Sequence, residues 1–184
     1  MKARLLAMLC CGCLFTSAEN LTPWGDFEAS AESLKPFVES KIGLFSIVEE
    51  NPGRNHCVKV AVKNIENRSD GELGVHSNAV FSLELEPNTR YYFTFDLKGT
   101  APRFLIDVKE EKGRKLPLDV TPPPALKSSY YEMCSDWREY AGTFKTSQSG
   151  KVKLFVTLWH STQYGKMFYA VGDYYLLDNL KLWK

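Results

Sequence analysis

The chain has 184 residues, enough for one domain with a real hydrophobic core and too few for two ordinary ones. Apolar residues make up 44% and charged residues 24%, which excludes a disordered chain, and an aromatic share of 13% fits strands and surfaces that stack on flat ligands. With a formal charge of +1 and no run of Lys and Arg, the sequence offers no electrostatic footprint for nucleic acid or anionic lipid.

Residues 1–18 read as an export signal: Lys2 and Arg4 form a basic start, Leu5–Phe15 a short apolar run, and Thr16-Ser17-Ala18 a small-residue cleavage site. The run is too short for a permanent bilayer span, which needs roughly 20 apolar residues. The expected location is therefore secreted, periplasmic or cell-envelope, with cleavage after Ala18. Because the segment carries Lys2 and Arg4 and no acid, its removal takes the formal charge from +1 to −1. A buried N-terminal helix is the structural alternative. Cys10, Cys11 and Cys13 fall inside the segment and resemble a bacterial lipobox loosely, so a lipid anchor through Cys13 is the runner-up. Beyond it stand Cys57 and Cys134, which in an exported protein either form a disulfide or remain as separate thiols. His56, His76 and His160 are scattered, and no Cys/His metal spacing is present.

Strand signals then repeat to the end of the chain. They run over Ile42–Val48, Cys57–Ile65, Asn78–Leu85, Arg90–Lys98, Arg103–Glu110, Trp137–Lys145, Lys151–His160 and Tyr174–Trp183. Turn residues separate them: Asn51-Pro52-Gly53, Arg68-Ser69-Asp70-Gly71, Pro87-Asn88-Thr89, Lys112-Gly113 and Ser149-Gly150. Residues 26–37 hold one short helical turn at most. The stretch Asp119–Asp136, with Pro122-Pro123-Pro124, reads as one long loop over the rim. Many short strands at this spacing predict an all-β sandwich or barrel formed by residues 19–184 as a single domain.

Alternation assigns faces. Val152, Leu154, Val156 and Leu158 point to the core, which leaves Phe155, Thr157 and Trp159 on the opposite face. Phe93, Phe95 and Leu97 point in, with Tyr92, Thr94 and Asp96 out; Phe104, Ile106 and Val108 point in, with Arg103, Leu105, Asp107 and Lys109 out. If these strands share a sheet, its outer face carries aromatic rings among hydrogen-bonding groups.

Four segments, in order, carry a family resemblance. Asn20-Leu21-Thr22-Pro23-Trp24-Gly25-Asp26-Phe27-Glu28 resembles the opening of carbohydrate-binding modules of families four and nine. Leu85-Glu86-Pro87-Asn88-Thr89-Arg90-Tyr91-Tyr92-Phe93-Thr94-Phe95 is similar to their central hairpin, with Asn88 in place of Gly at the turn, which Asn tolerates because it also adopts positive φ. Trp137-Arg138-Glu139-Tyr140-Ala141-Gly142-Thr143-Phe144 and Tyr175-Leu176-Leu177-Asp178-Asn179-Leu180-Lys181-Leu182 resemble the later two, Asn179 standing where a second Asp is usual. The resemblance implies a jelly-roll β-sandwich of two antiparallel sheets, galactose-binding-domain-like, and non-catalytic binding of a poly- or oligosaccharide on a sheet face. It also implies a structural calcium ion held by Glu28 and Asp178. The even positions Leu176, Asp178, Leu180 and Leu182 put that acid on a core-directed face, where a carboxylate needs a metal, backbone amides or a Lys.

The residues expected to meet the ligand are Trp159, Phe155 and Tyr92 as a platform, with Asp96, Arg103, Asp107 and Thr157 as hydrogen-bonding partners and Tyr130 and Tyr131 at the rim. Surface acids such as Glu84 and Glu86 alternate without the paired spacing a glycosidase needs, and no phosphate loop, G-x-S-x-G or Cys/His nucleophile is present, so no enzyme is expected. The alternative is a protein-interaction β-sandwich of the cell envelope, in which the same rings meet a protein partner.

Overall fold

The computed structural model describes residues 19–29, 34, 38–39, 44–50, 56–67, 70–124 and 129–184. The export signal with Cys10, Cys11 and Cys13, the turn at 51–53 and most of the stretch 30–37 lie outside them. Twelve strands are described: β1 (Val38–Glu39), β2 (Leu44–Glu49), β3 (His56–Ala61), β4 (Glu66–Asn67), β5 (Leu73–Glu84), β6 (Arg90–Gly99), β7 (Arg103–Glu110), β8 (Leu118–Thr121), β9 (Tyr131–Glu132), β10 (Arg138–Lys145), β11 (Lys151–Ser161) and β12 (Tyr174–Trp183). They form two antiparallel sheets. The first runs β1-β5-β11-β7-β9 with β4 beside β5, and the second runs β2-β3-β12-β6-β10-β8. This is the expected all-β sandwich of two antiparallel sheets.

Most connections cross from one sheet to the other. The turn after β5 behaves as its sequence predicts, since Asn88 sits at φ 54°, but it is no hairpin: β5 belongs to the first sheet and β6 to the second. The same crossing separates β6 from β7 and β10 from β11. Inward side chains from both sheets fill the space between them. Phe93 and Phe95 stack with centroids 6.0 Å apart, and Tyr140 meets Phe104 edge-on at 5.0 Å.

The rim stretch 119–136 is more ordered than one loop. β8 adds to the edge of the second sheet through β10, and β9 to the edge of the first through β7. Pro122 follows β8 directly and ends it, because proline has no N–H for the ladder. Tyr131 lies on β9 opposite Phe104 and is buried in the core, which corrects its expected place at the rim.

The last strand corrects a second expectation. A register shift between Asp178 and Lys181, with Asn179 at φ 52°, reverses its side-chain phase. Tyr175 and Leu177 face the core before the shift, and Leu180 and Leu182 after it. Asp178 therefore points away from the core, opposite Asp96 of β6, although it is buried. The opening segment clamps this bulge. Leu180 donates its amide to the Gly25 carbonyl at 2.8 Å, and the Thr22 hydroxyl donates to the Leu180 carbonyl at 2.9 Å. A Cβ at Gly25 would stand 1.9 Å from the Leu180 carbonyl oxygen, so only glycine fits there.

Cys57 and Cys134 are free thiols, not a disulfide. Cys57 lies on β3, whereas the Cys134 carbonyl accepts the Gly99 amide at the end of β6, with β12 between those strands. Two strand spacings are roughly 10 Å, beyond the reach of a disulfide. Burial pushes the Cys57 thiol up to about 11.

Tyr175 joins the two sheets. Its ring is fully buried, its hydroxyl donates to the Val156 carbonyl at 2.7 Å, and it accepts the Ala79 amide at 2.9 Å. Burial holds its phenol far above the ordinary range. Tyr175→Phe removes the oxygen that serves both groups and should lower stability by about 1–3 kcal/mol. A urea midpoint that falls with an unchanged slope is the expected result; an unmoved midpoint would show that the bridge contributes nothing.

Candidate functional site

The outer face of the first sheet is built from three neighbouring strands. Alternate residues of β11 present Lys153, Phe155, Thr157 and Trp159. Across β5, Phe155 faces Val80, Thr157 faces Asn78 and Trp159 faces His76; across β7, Phe155 faces Asp107 and Thr157 faces Leu105. Phe155 and Trp159 are half-buried, while Thr157 and Asn78 are buried beneath them. Lys109 lies over the Phe155 ring with its Nζ 4.8 Å from the centroid. Asp107 is shared by two ammonium groups, Lys109 at 3.9 Å and Lys115 in closer contact.

A second group of rings closes the end of this face. Ser161 caps a single 3₁₀ turn over Thr162–Tyr164, its side chain accepting the Gln163 amide. The turn carries Tyr164 back to within 5.6 Å of Trp159, centroid to centroid, with Tyr164 largely exposed. Phe168 lies 4.1 Å from His160, meets Tyr130 edge-on at 5.9 Å and carries the Arg103 guanidinium 5.1 Å above its ring. The Tyr130 hydroxyl donates to the Trp159 carbonyl at 3.0 Å, and the Tyr169 hydroxyl donates to the Arg103 carbonyl at 2.9 Å. Burial pushes the Tyr130 and Tyr169 phenols above their ordinary values, so both remain donors.

Of the seven residues expected to meet the ligand, five lie together on this face: Trp159, Phe155, Thr157, Arg103 and Asp107. Tyr92 and Asp96 do not. Both point outward from β6, as their alternation predicts, but β6 belongs to the second sheet, so they lie on the opposite side of the sandwich. There Tyr92 is exposed beside Trp183, and Asp96 accepts from the Asn179 side chain at 2.9 Å. Tyr130 does reach the rim of the first sheet. His76 lies before the expected strand Asn78–Leu85 and Asn78 opens it; β5 starts at Leu73, and alternation along its full length turns both outward. Tyr164 lies in the 3₁₀ turn and Phe168 in the irregular segment after it, neither with a strand period, and nothing in the sequence marks them.

The expected calcium ligands are not arranged as a shell. Glu28 accepts the His56 amide at 2.7 Å on one oxygen and has His56 Nδ1 2.9 Å from the other. The side-chain hydrogen bond, followed by the amide, holds the Glu28 carboxyl below its ordinary value, and the same contact raises the His56 imidazole. Asp178 accepts the Asn179 amide at 2.7 Å. Among the described residues no group of three or more His, Cys, Asp or Glu side chains is placed to hold a metal ion. As described, Glu28 is engaged by His56 and Asp178 by the Asn179 amide.

A cavity of about 860 Å³ opens at the other end of the sandwich, between Leu21, Trp24, Leu83, Leu85 and Val152. Its rim charges are largely paired among themselves, Lys151 with Glu84 at 3.8 Å and Lys184 with Glu86. On the ring-lined face Tyr164 and Arg103 are exposed, with Phe155 and Trp159 half-buried beside them.

No protein-family model matches the sequence, and no curated protein does. Among solved structures, the carbohydrate-binding module TmCBM61, seen in complex with β-1,4-galactotriose, aligns at TM-score 0.54 and 15% identity over 91% of this chain and 99% of that one. This likeness shows the fold: the chain shares the two-sheet β-sandwich architecture of that module. The enzymatically active domain of bacteriophage CBA120 tailspike protein 4 aligns at TM-score 0.48 and 13% identity, over 86% of this chain and 20% of that one. The CBM22-1–GH10 modules of Clostridium thermocellum xylanase 10B, complexed with xylohexaose, align at 0.48 and 11%, over 80% of this chain and 26% of that one.

Proposed function

We propose that this protein is a non-catalytic carbohydrate-binding module that holds a poly- or oligosaccharide on the outer face of its first sheet. The observation that carries the reading is the row Phe155, Thr157 and Trp159 on β11, flanked by Asn78, His76, Arg103 and Asp107. Sugar rings offer apolar C–H faces to such aromatics, and their hydroxyls need the neighbouring donors and acceptors. The fold shared with a module that holds galactotriose supports it. A non-enzymatic role is supported by chemistry. Glycoside hydrolysis needs two carboxyl groups about 5–10 Å apart. The described strand residues of this face around Trp159 offer Asp107, whose carboxylate is held by Lys109 and Lys115, and Glu132, set apart on the edge strand β9.

Trp159→Ala should weaken retention on a binding polysaccharide by roughly tenfold, given about 1–2 kcal/mol for an aromatic-face contact. Tyr92→Ala, on the opposite sheet, should leave it unaltered. Affinity electrophoresis on soluble β-glucans, xylans and galactans measures both. Loss with Tyr92→Ala alone would move the site to the second sheet, and retention by no polysaccharide would favour the protein-partner reading.

Export follows from residues 1–18. Mass spectrometry of secreted or envelope material should show Glu19 as the N-terminus; a diacylglyceryl group on Cys13 would instead establish the anchored form, and an intact Met1 would exclude both. Calcium at Glu28 and Asp178 remains a proposal carried by the family resemblance, and it requires Glu28 to release His56. If it holds, a chelator lowers the melting temperature and added calcium restores it, whereas an indifferent melting curve removes the ion.

A further inference from the structure

We infer that the glycan held on this face is anionic, bearing carboxylate or sulfate groups; the inference rests on the carbohydrate reading and narrows it. Two of the rings are covered by cations: Lys109 lies 4.8 Å over Phe155, and Arg103 lies 5.1 Å over Phe168. A sugar that stacks on either ring must displace the cation. A neutral sugar gains the C–H contact but gives up a cation–π contact of similar size. An anionic sugar offsets that loss, because the displaced ammonium or guanidinium pairs with its acid group.

The charges on the face agree. Two carboxylates stand among these cations: Asp107, shared by Lys109 and Lys115, and Glu132, opposite Arg103 on β9. Arg103 is exposed and has no carboxylate partner among the described residues; Glu132, its register neighbour on β9, makes no ion pair with it. Lys153, opposite Lys109, has an interaction of its own. Three cations, Arg103, Lys109 and Lys115, against Asp107 and Glu132 leave one positive charge in excess around Phe155 and Phe168. Arg103 is fixed through its backbone by Tyr169, and a planar guanidinium matches a carboxylate or sulfate through two parallel hydrogen bonds.

The test compares dissociation constants for a polyuronate (polygalacturonate), a sulfated polysaccharide (dextran sulfate), a neutral galactan and dextran, each at low and high salt, with duplex DNA as a non-glycan polyanion. Polyuronate or dextran sulfate should bind at least about tenfold tighter than its neutral counterpart, with a preference that shrinks as salt rises; which of the two is preferred identifies the acid group. The double variant Arg103→Ala/Lys109→Ala should lose that preference, with its fold checked by the unfolding midpoint. Lys181→Ala, a charge change on the opposite sheet, should keep it. Equal affinity for neutral and anionic glycans overturns the inference and leaves the carbohydrate reading standing. Equally tight DNA overturns it too, as a sign of a generic polyanion patch. Retention of no glycan removes the carbohydrate reading and this inference with it.

Discussion

The Tyr175 hydroxyl sits where the two sheets must agree. Val156 and Ala79 face each other across β11 and β5, and the phenol from β12 serves both, accepting from one strand and donating to the other. A buried hydroxyl with both roles filled fixes distance and angle together, which apolar contacts do not. The residues on either side of this point, Phe155 and Thr157 on β11 and Asn78 and Val80 on β5, necessarily turn outward, because strand side chains alternate. The ring face thus inherits its position from a bond on the opposite side of the same strands. A flat ligand surface benefits from this arrangement, since rings already held in place lose little further freedom on binding.

The opening motif and the last-strand motif, distant in sequence, form one structural unit. The bulge at Asn179 turns Leu180 and Leu182 toward the core after Leu177, and the segment from Asn20 to Gly25 bonds along the displaced backbone. Without that segment the bulged strand would expose backbone groups that have no ladder partner. The Asp178-Asn179 pair is explained on the same ground: Asn179 takes the positive φ, and Asp178 accepts its amide. Trp137 belongs to a comparable tie, donating through Nε1 to Glu50 at 3.0 Å while Lys98 covers its ring and pairs with the same carboxylate.

Strand existence and the facing of most side chains were legible because both are local. Phe93, Phe104 and Leu154 alternate with polar neighbours, and each lies in the core as its period predicts. Sheet membership was not legible. Alternation says that Tyr92 and Trp159 both point outward, but "outward" has two meanings in a sandwich, and only the crossings between β5 and β6 and between β6 and β7 decide which applies. The phase reversal in β12 was hidden for a related reason: one extra residue in a bulge breaks the period of two, and the even positions from Leu176 to Leu182 looked continuous. Tyr164 and Phe168 reach the face through a capped turn, and their contacts depend on where that turn lands.

Charge shows the same gap between order along the chain and order in space. Arg103, Lys109 and Lys115 are spread over thirteen positions with three acidic residues interleaved, so the linear sequence shows no long basic run. Folding sorts them. Strand alternation sends Glu110 to the side opposite Lys109, where Arg114 meets it at 3.4 Å, and Glu111 falls in the turn beyond β7. Asp107 keeps company with the two lysines on the ring face, and Glu132 stands opposite Arg103 on β9. A chain close to neutral overall can therefore present a positive surface next to exposed rings, and at short range a ligand responds to those few groups. Beyond about 8–10 Å in physiological salt the rest of the molecule's charge is screened.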